Sequence, residues 1–203
     1  MCCGSSSPIT GPAAGTIAHQ KKSPSPEQSD RSGVYLEISF NSVINPMKIL
    51  RTEQFLPVSL PEAWAFFATP RNLNAVTPRK LDFRITSGVP DKMYEGLFIT
   101  YRIKPMLAIP VAWVTEITHI KEQEYFVDEQ RKGPYRIWHH EHHFREAEGG
   151  VIMTDILYYD IGLWIIGRIA GALFVDRMIR EIFRFRRIAL DQAFPDKKVK
   201  TQL

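Results

Sequence analysis

The chain has 203 residues, 44% hydrophobic and 11% aromatic, enough for one domain with a sizeable core and some chain to spare. A net charge of +4 is too slight to mark a nucleic-acid binder, which gathers its charge into one patch. Both cysteines, Cys2 and Cys3, sit at the N-terminus, so a disulfide framework and a zinc ribbon are excluded, and a cytoplasmic setting is expected.

Residues 1–33 are rich in Ser, Pro and Gly and have almost no large apolar side chains, so they cannot offset the entropy of ordering. Residues 34–46 alternate only weakly. A disordered or dispensable tail is therefore expected over 1–46, a folded domain over 47–195 and a short tail over 196–203. Cys2 and Cys3 could be palmitoylated. Residues 1–20 lack a basic region followed by an apolar run, so no signal peptide is expected. The apolar stretch Ile161–Val175 is too short to span a bilayer and is broken by Arg168.

From Met47 the pattern sharpens. Lys48–Leu56 alternates and reads as a strand. Ser59 can cap a helix over Leu60–Ala68, with Pro61 in the first turn and Glu62 completing a capping box. A second short helical turn follows over Asn72–Val76. Six strands come next, near Leu81–Ser87, Gly96–Lys104, Val111–Lys121, Tyr125–Lys132, Tyr135–Arg145 and Val151–Ile161. The short links between them imply antiparallel neighbours. A long helix over about Leu163–Phe194 ends at Pro195.

Alternation sorts the strand faces. Ile99, Tyr101 and Ile103 share a face, as do Trp113, Thr115 and Ile117, then Trp138, His140, His142 and Phe144, and last Val151 through Tyr159 in steps of two. These faces should line a concave core. On the long helix, Phe174, Met178, Ile182, Phe185 and Ala189 form an apolar stripe, and Asp176, Arg177, Arg180, Glu181, Arg184, Arg187 and Asp191 a polar one. The arginines could dock peripherally on an anionic membrane, although Asp176 and Glu181 dilute them.

This order of elements, with the segments GPYRIWHHEH at Gly133–His142, WVTEIT at Trp113–Thr118 and FVDEQR at Phe126–Arg131, resembles the START-like helix-grip superfamily, also called SRPBCC. That superfamily includes polyketide cyclases, plant pollen allergens and coenzyme Q-binding proteins. The chain is most similar to an uncharacterised bacterial ligand-binding group within it, over about Met47–Phe194. The resemblance implies an α+β fold: a curved seven-stranded antiparallel sheet wrapped around a long C-terminal helix, with two short helices after the first strand. It also implies a cavity, often opening near those helices, for a lipid, quinone or aromatic. The expected partner is thus a small hydrophobic ligand, with no nucleic acid and no integral membrane segment. The expected ligand-binding residues are Tyr101, Trp113, Phe126, Gln130, Trp138, Tyr159, Phe174 and Met178, around a pocket of roughly 300–1,000 Å³.

One feature departs from a purely apolar pocket. Asp128, Gln130, His140, His142 and Asp155 fall on the inward faces. The turn at Gly133-Pro134 places Asp128 opposite His140, and the turn at Gly149-Gly150 places Asp155 opposite His142. Three readings are open: a hydrogen-bond network that orients a ligand head group, acid–base catalysis of a cyclase, dehydratase or hydrolase kind, or a metal site. No further His or Cys shares that face, and alternation splits the run His139–His143 across two faces, so neither a metal nor a cofactor is expected.

Overall fold

The computed structural model describes residues 34–37, 47–106, 109–161 and 170–195. Strand β1 (Val34–Glu37) is followed by β2 (Lys48–Leu56), helix α1 (Leu60–Phe67) and two 3-10 turns at Pro70–Asn74 and Arg79–Leu81. Then come β3 (Arg84–Ile85), β4 (Phe98–Met106), β5 (Ile109–Lys121), β6 (Tyr125–Lys132), β7 (Ile137–Ala147) and β8 (Gly150–Asp160). Helix α2 (Ala170–Ala193) closes the fold. Cys2, Cys3, residues 1–33 and 196–203, and the expected first turns of the long helix lie outside the described residues.

The strands form one antiparallel sheet in the order β1-β2-β8-β7-β6-β5-β4-β3. The seven strands expected from Lys48 onward are all present. Val34–Glu37, within the expected tail, adds an eighth by pairing with β2. Strand β3 is shorter than expected, because Arg79–Leu81 coils into a 3-10 turn and Asp82 takes a left-handed backbone at φ 44°. Ser59 precedes α1 but makes no side-chain cap, so the capping box is not formed. Pro61 in the first turn still favours a helix start there.

Register irregularities between Val114 and Thr115 and between Ile117 and His119 interrupt the β5–β6 ladder. Such bulges bend the bulged strand and tighten its twist, which helps curl the sheet around α2. The helix is tied across this concave face. Asp176 accepts from Tyr159 Oη (2.9 Å) and pairs with Lys48 Nζ (2.6 Å), and Gln54 Nε2 donates to Asp191 Oδ1 at 2.7 Å. Asp176 is expected on the solvated face of the helix. It is instead buried, because β2 and β8 supply its two donors.

The helix meets the sheet through Val175, Met178, Ile179, Phe183 and Leu190. Phe183, not Phe185, points inward, and Phe174 is 50% exposed, which corrects its expected role in the stripe and in the pocket. Among the arginines of the outer stripe, Arg177 pairs with Glu181 along the helix. Two core clusters result. Trp64, Phe126, Phe144 and Leu190 centre one, and Trp113, Tyr135, Tyr159 and Ile179 the other; Tyr101 packs against both. No helix among the described residues is long and apolar enough to cross a membrane.

Candidate functional site

A cavity of about 190 Å³ lies between the sheet and α2, bordered by both core clusters. One end is aromatic. Trp113 stacks on Tyr101 with ring centres 5.8 Å apart, and Trp138 meets Trp113 edge-on at 5.1 Å. Thr115 satisfies the polar tips of this wall: Trp113 Nε1 donates to its hydroxyl at 3.1 Å, and Tyr101 Oη lies 2.9 Å from it. Both rings therefore present apolar faces with no unmet donor. The lining residues that keep partial exposure, such as Thr69, Asn72 and Leu73 after α1 and Ile182 on α2, place the mouth between the first 3-10 turn and the long helix.

The wall formed by β6 and β7 is polar. Alternation on β7 brings His140 and His142 to one face, and the ladder sets Asp128 opposite His140 and Asp155 opposite His142. Both pairings expected from the turns are present. The four side chains alternate around a ring. Asp128 Oδ2 lies 2.9 Å from His142 Nε2 and 3.5 Å from His140 Nδ1. Asp155 Oδ1 lies 2.7 Å from His142 Nδ1 and 3.2 Å from His140 Nε2. Asp128 and both histidines line the cavity, whereas Asp155 sits behind them, outside the lining.

Arg186 completes the cluster. Its Nε lies 3.5 Å from Asp155 Oδ2, its Nη2 lies 3.2 Å from His142 Nδ1, and its guanidinium covers the Phe67 ring at 5.6 Å. A ring nitrogen and a carboxylate oxygen at 2.7 Å need a proton between them, so the Nδ1 proton of His142 belongs to Asp155 and the Arg186 contact is a close approach of two donors. The His142–Asp155 contact is bent. Asp155 Oδ1, His140 Nε2 and Arg186 Nε all lack an aligned hydrogen bond.

The electrostatics follow. Burial alone would push His142 down, but hydrogen bonds to Asp128 and Asp155 outweigh it and raise its pKa above 6.5. Burial and the neighbouring charge of His142 push His140 the other way, below 6.5. Burial would raise Asp155, yet the Arg186 charge and the two imidazoles hold it well below the usual carboxylate range. Asp128 is lowered as well, because His142 overcomes the cost of burying it. The two carboxylates thus favour the protonated form of His142, which stacks 4.1 Å from Phe126, whereas His140 is shifted towards its neutral form.

Of the expected ligand-binding residues, Tyr101, Trp113, Phe126, Trp138 and Met178 line the cavity. Three do not. Gln130 turns to the β6–β7 hairpin, where Nε2 donates to Tyr135 O at 2.6 Å and Oε1 accepts from Tyr135 N at 3.3 Å. Tyr159 is fully buried against Asp176, and Phe174 faces away. The cavity is also smaller than the size range expected for such pockets. Sequence reasoning misses Phe183 and Arg186. Their signal is present, since 175, 179, 182, 183, 186 and 190 fall on one face at helical spacing. Charge argues against placing Arg186 inside, and only its partner Asp155 makes its burial tolerable.

No family model matches the chain, and no curated protein matches it. Solved structures do. Protein Ms6760 of Mycobacterium smegmatis is similar at 18% identity, over 71% of this chain and 89% of that one, with a TM-score of 0.54. A protein of Arthrobacter aurescens is similar at 12% identity over 76% and 91%, with a TM-score of 0.55. Protein TTHA0849 of Thermus thermophilus is similar at 15% identity over 71% and 94%, with a TM-score of 0.53. At these identities the likeness concerns the fold alone, and the chain has the helix-grip fold: an antiparallel sheet closed around its C-terminal helix.

Proposed function

We propose that this chain is a START-like (SRPBCC) binding or carrier module, holding a small hydrophobic ligand between the sheet and α2. The observation that carries this reading is the cavity: apolar and aromatic over most of its wall, with one polar cluster and a mouth beside the first 3-10 turn. Binding sites of small apolar molecules have this composition. Size narrows the ligand. An apolar cavity of about 150 Å³ holds one benzene ring, so about 190 Å³ suits one substituted ring or the end of a longer molecule that extends through the mouth. Asp128 and the histidines would meet its polar substituent.

The test is native mass spectrometry of the purified chain together with displacement of an apolar fluorescent probe, read through Trp113 and Trp138. A co-purifying or titrated aromatic should bind at one per chain. Ile182→Trp, at the mouth, should weaken binding by at least about tenfold, equivalent to roughly 1.4 kcal/mol. Absence of any apolar binding, or binding indifferent to Ile182→Trp, rejects the pocket.

A second reading is favoured by one specific feature, the pairing of His142 with Asp128 on the cavity wall, which favours the protonated ring. An imidazolium placed there could give a proton to a bound polyketide-like or ester substrate. Recovery of the ligand chemically unchanged after incubation supports a carrier. Turnover that is abolished in His142→Ala while its melting temperature stays nearly intact supports the enzyme.

A further inference from the structure

The ring nitrogens of the polar wall are arranged on two sides. His140 Nδ1 and His142 Nε2 both turn towards Asp128, while the other nitrogen of each ring turns towards Asp155. We propose that Asp128, His140 and His142 bind one divalent first-row transition-metal ion through Oδ2, Nδ1 and Nε2, with Asp155 as the carboxylate behind both imidazoles.

Distance supports this first. Metal–nitrogen and metal–oxygen bonds of about 2.0–2.2 Å at tetrahedral angles put neighbouring donors about 3.3 Å apart. The observed separations from Asp128 Oδ2, 2.9 and 3.5 Å, bracket that value. One ligand atom from each residue falls within 4.8 Å of the others.

The second support is the outer carboxylate. Ligating histidines usually give their remaining ring N–H to such a group, which fixes tautomer and orientation. Asp155 Oδ1 stands 2.7 Å from His142 Nδ1 and 3.2 Å from His140 Nε2, within reach of both rings but aligned as a hydrogen bond with neither. Arg186 neutralises Asp155 from behind. Its Nη2 also comes within 3.2 Å of His142, on the side away from Asp128.

Third, the cluster does not close as a hydrogen-bond network. His140 Nε2 and Asp155 Oδ1 are buried without an aligned partner, whereas a purely structural network would pair its buried atoms. Binding an ion requires His142 Nε2 to give up its proton, after which two carboxylates face one guanidinium and leave one negative charge for the cation to meet. Three protein ligands also leave coordination positions open, as in a catalytic site, and all three line the cavity. A two-histidine, one-carboxylate set suits Zn²⁺ or Fe²⁺ rather than Mg²⁺ or Ca²⁺.

Metal uptake needs no organic ligand, so its failure leaves the apolar pocket standing and the reverse is equally true. The experiment titrates chelator-treated full chain with Zn²⁺ alone and with Co²⁺ alone, by calorimetry and by elemental analysis after gel filtration. One ion per chain is expected. Asp128→Asn should abolish stoichiometric binding, and Asp155→Asn should weaken it about 10- to 100-fold. His139→Ala and His143→Ala, on the outer face, should leave it unchanged. Should a buried variant fail to fold, ¹⁵N spectra of the wild-type histidine rings decide: the ion must shift His140 and His142 and spare His139 and His143. The proposal is overturned by a folded wild type that takes up neither ion, by binding lost only in the outer-face variants, or by ring shifts confined to His139 and His143.

Discussion

The guanidinium of Arg186 is the counter-charge that lets Asp155 stay ionised inside the fold. The two side chains are only 11% and 7% exposed. Removing one member of a buried charge pair strands the other without water, at about 3–5 kcal/mol. Arg186→Met keeps most of the hydrocarbon that packs on Phe67 and deletes only the charge. It should destabilise the chain by about 3 kcal/mol in urea unfolding at neutral pH. Asp155→Asn added to Arg186→Met should return part of that loss, because the stranded charge is then gone. A single-variant effect below about 1 kcal/mol, the size of an ordinary exposed pair, would show that Arg186 does not compensate Asp155. The pairing of Asp128 with His140 is legible in sequence because the short turn at Gly133-Pro134 fixes register. Arg186 is not, because its charge points to solvent while its helical position points to the core, and only a contact across the fold decides between them.

At the scale of elements, the hairpin glycines show which turns the sheet depends on. A Cβ built at Gly150 would sit 2.2 Å from the backbone oxygen of Leu56 and 2.8 Å from the Phe55 ring. Backbone cannot swing aside, so Gly150→Ala must push β8 away from β2, which pair through Leu56 and Val151. A Cβ at Gly133 would instead meet the end of the flexible Gln130 side chain, at 2.2 Å. That end can turn away, giving up its two bonds to Tyr135. Gly150→Ala should therefore cost about 1–3 kcal/mol, as overpacking does, and Gly133→Ala less, about 1 kcal/mol for weakened hydrogen bonds. Thermal melts of the two variants check the ranking; equal or reversed losses would mean that the β2–β8 approach is not tight. The strands from β4 to β8 and their sequential pairing are readable because alternation and short turns are local signals, whereas β1 and the pairing of β2 with β8 are not, because they join distant segments. The face of α2 is only partly readable. Phe183 and Phe185 are both aromatic and two positions apart, and only the longer spacing through Val175, Ile179 and Leu190 separates the buried Phe183 from Phe185.

Across the whole molecule, three phenols pack around the same core, Tyr135 and Tyr159 buried and Tyr101 partly buried. Tyr135 and Tyr159 belong to the cluster on one side of the cavity, and Tyr101 packs against both clusters. Burial pushes all three above the ordinary tyrosine value of 10.0. The negative charge of Asp176 adds to that for Tyr135 and Tyr159, whereas the Thr115 hydrogen bond partly offsets it for Tyr101. The sign is fixed by linkage. The folded pKa is the higher one, so the folded state keeps its protons where the unfolded state has begun to lose them. This contribution is complete below about pH 10 and declines as pH rises. Each phenol's slope rises towards about 1.4 kcal/mol per pH unit above pH 10, so three give roughly 3 kcal/mol between pH 10 and 11. Stability should fall steeply just above pH 10, tracked by melting temperature together with phenolate absorbance. Tyr159→Phe keeps the ring and removes one titrating group. It loses the bond to Asp176, which retains Lys48, and should flatten the alkaline slope by about a third. An unchanged slope would place the Tyr159 hydroxyl within reach of water, and with it open the seam between β8 and α2 that closes the grip.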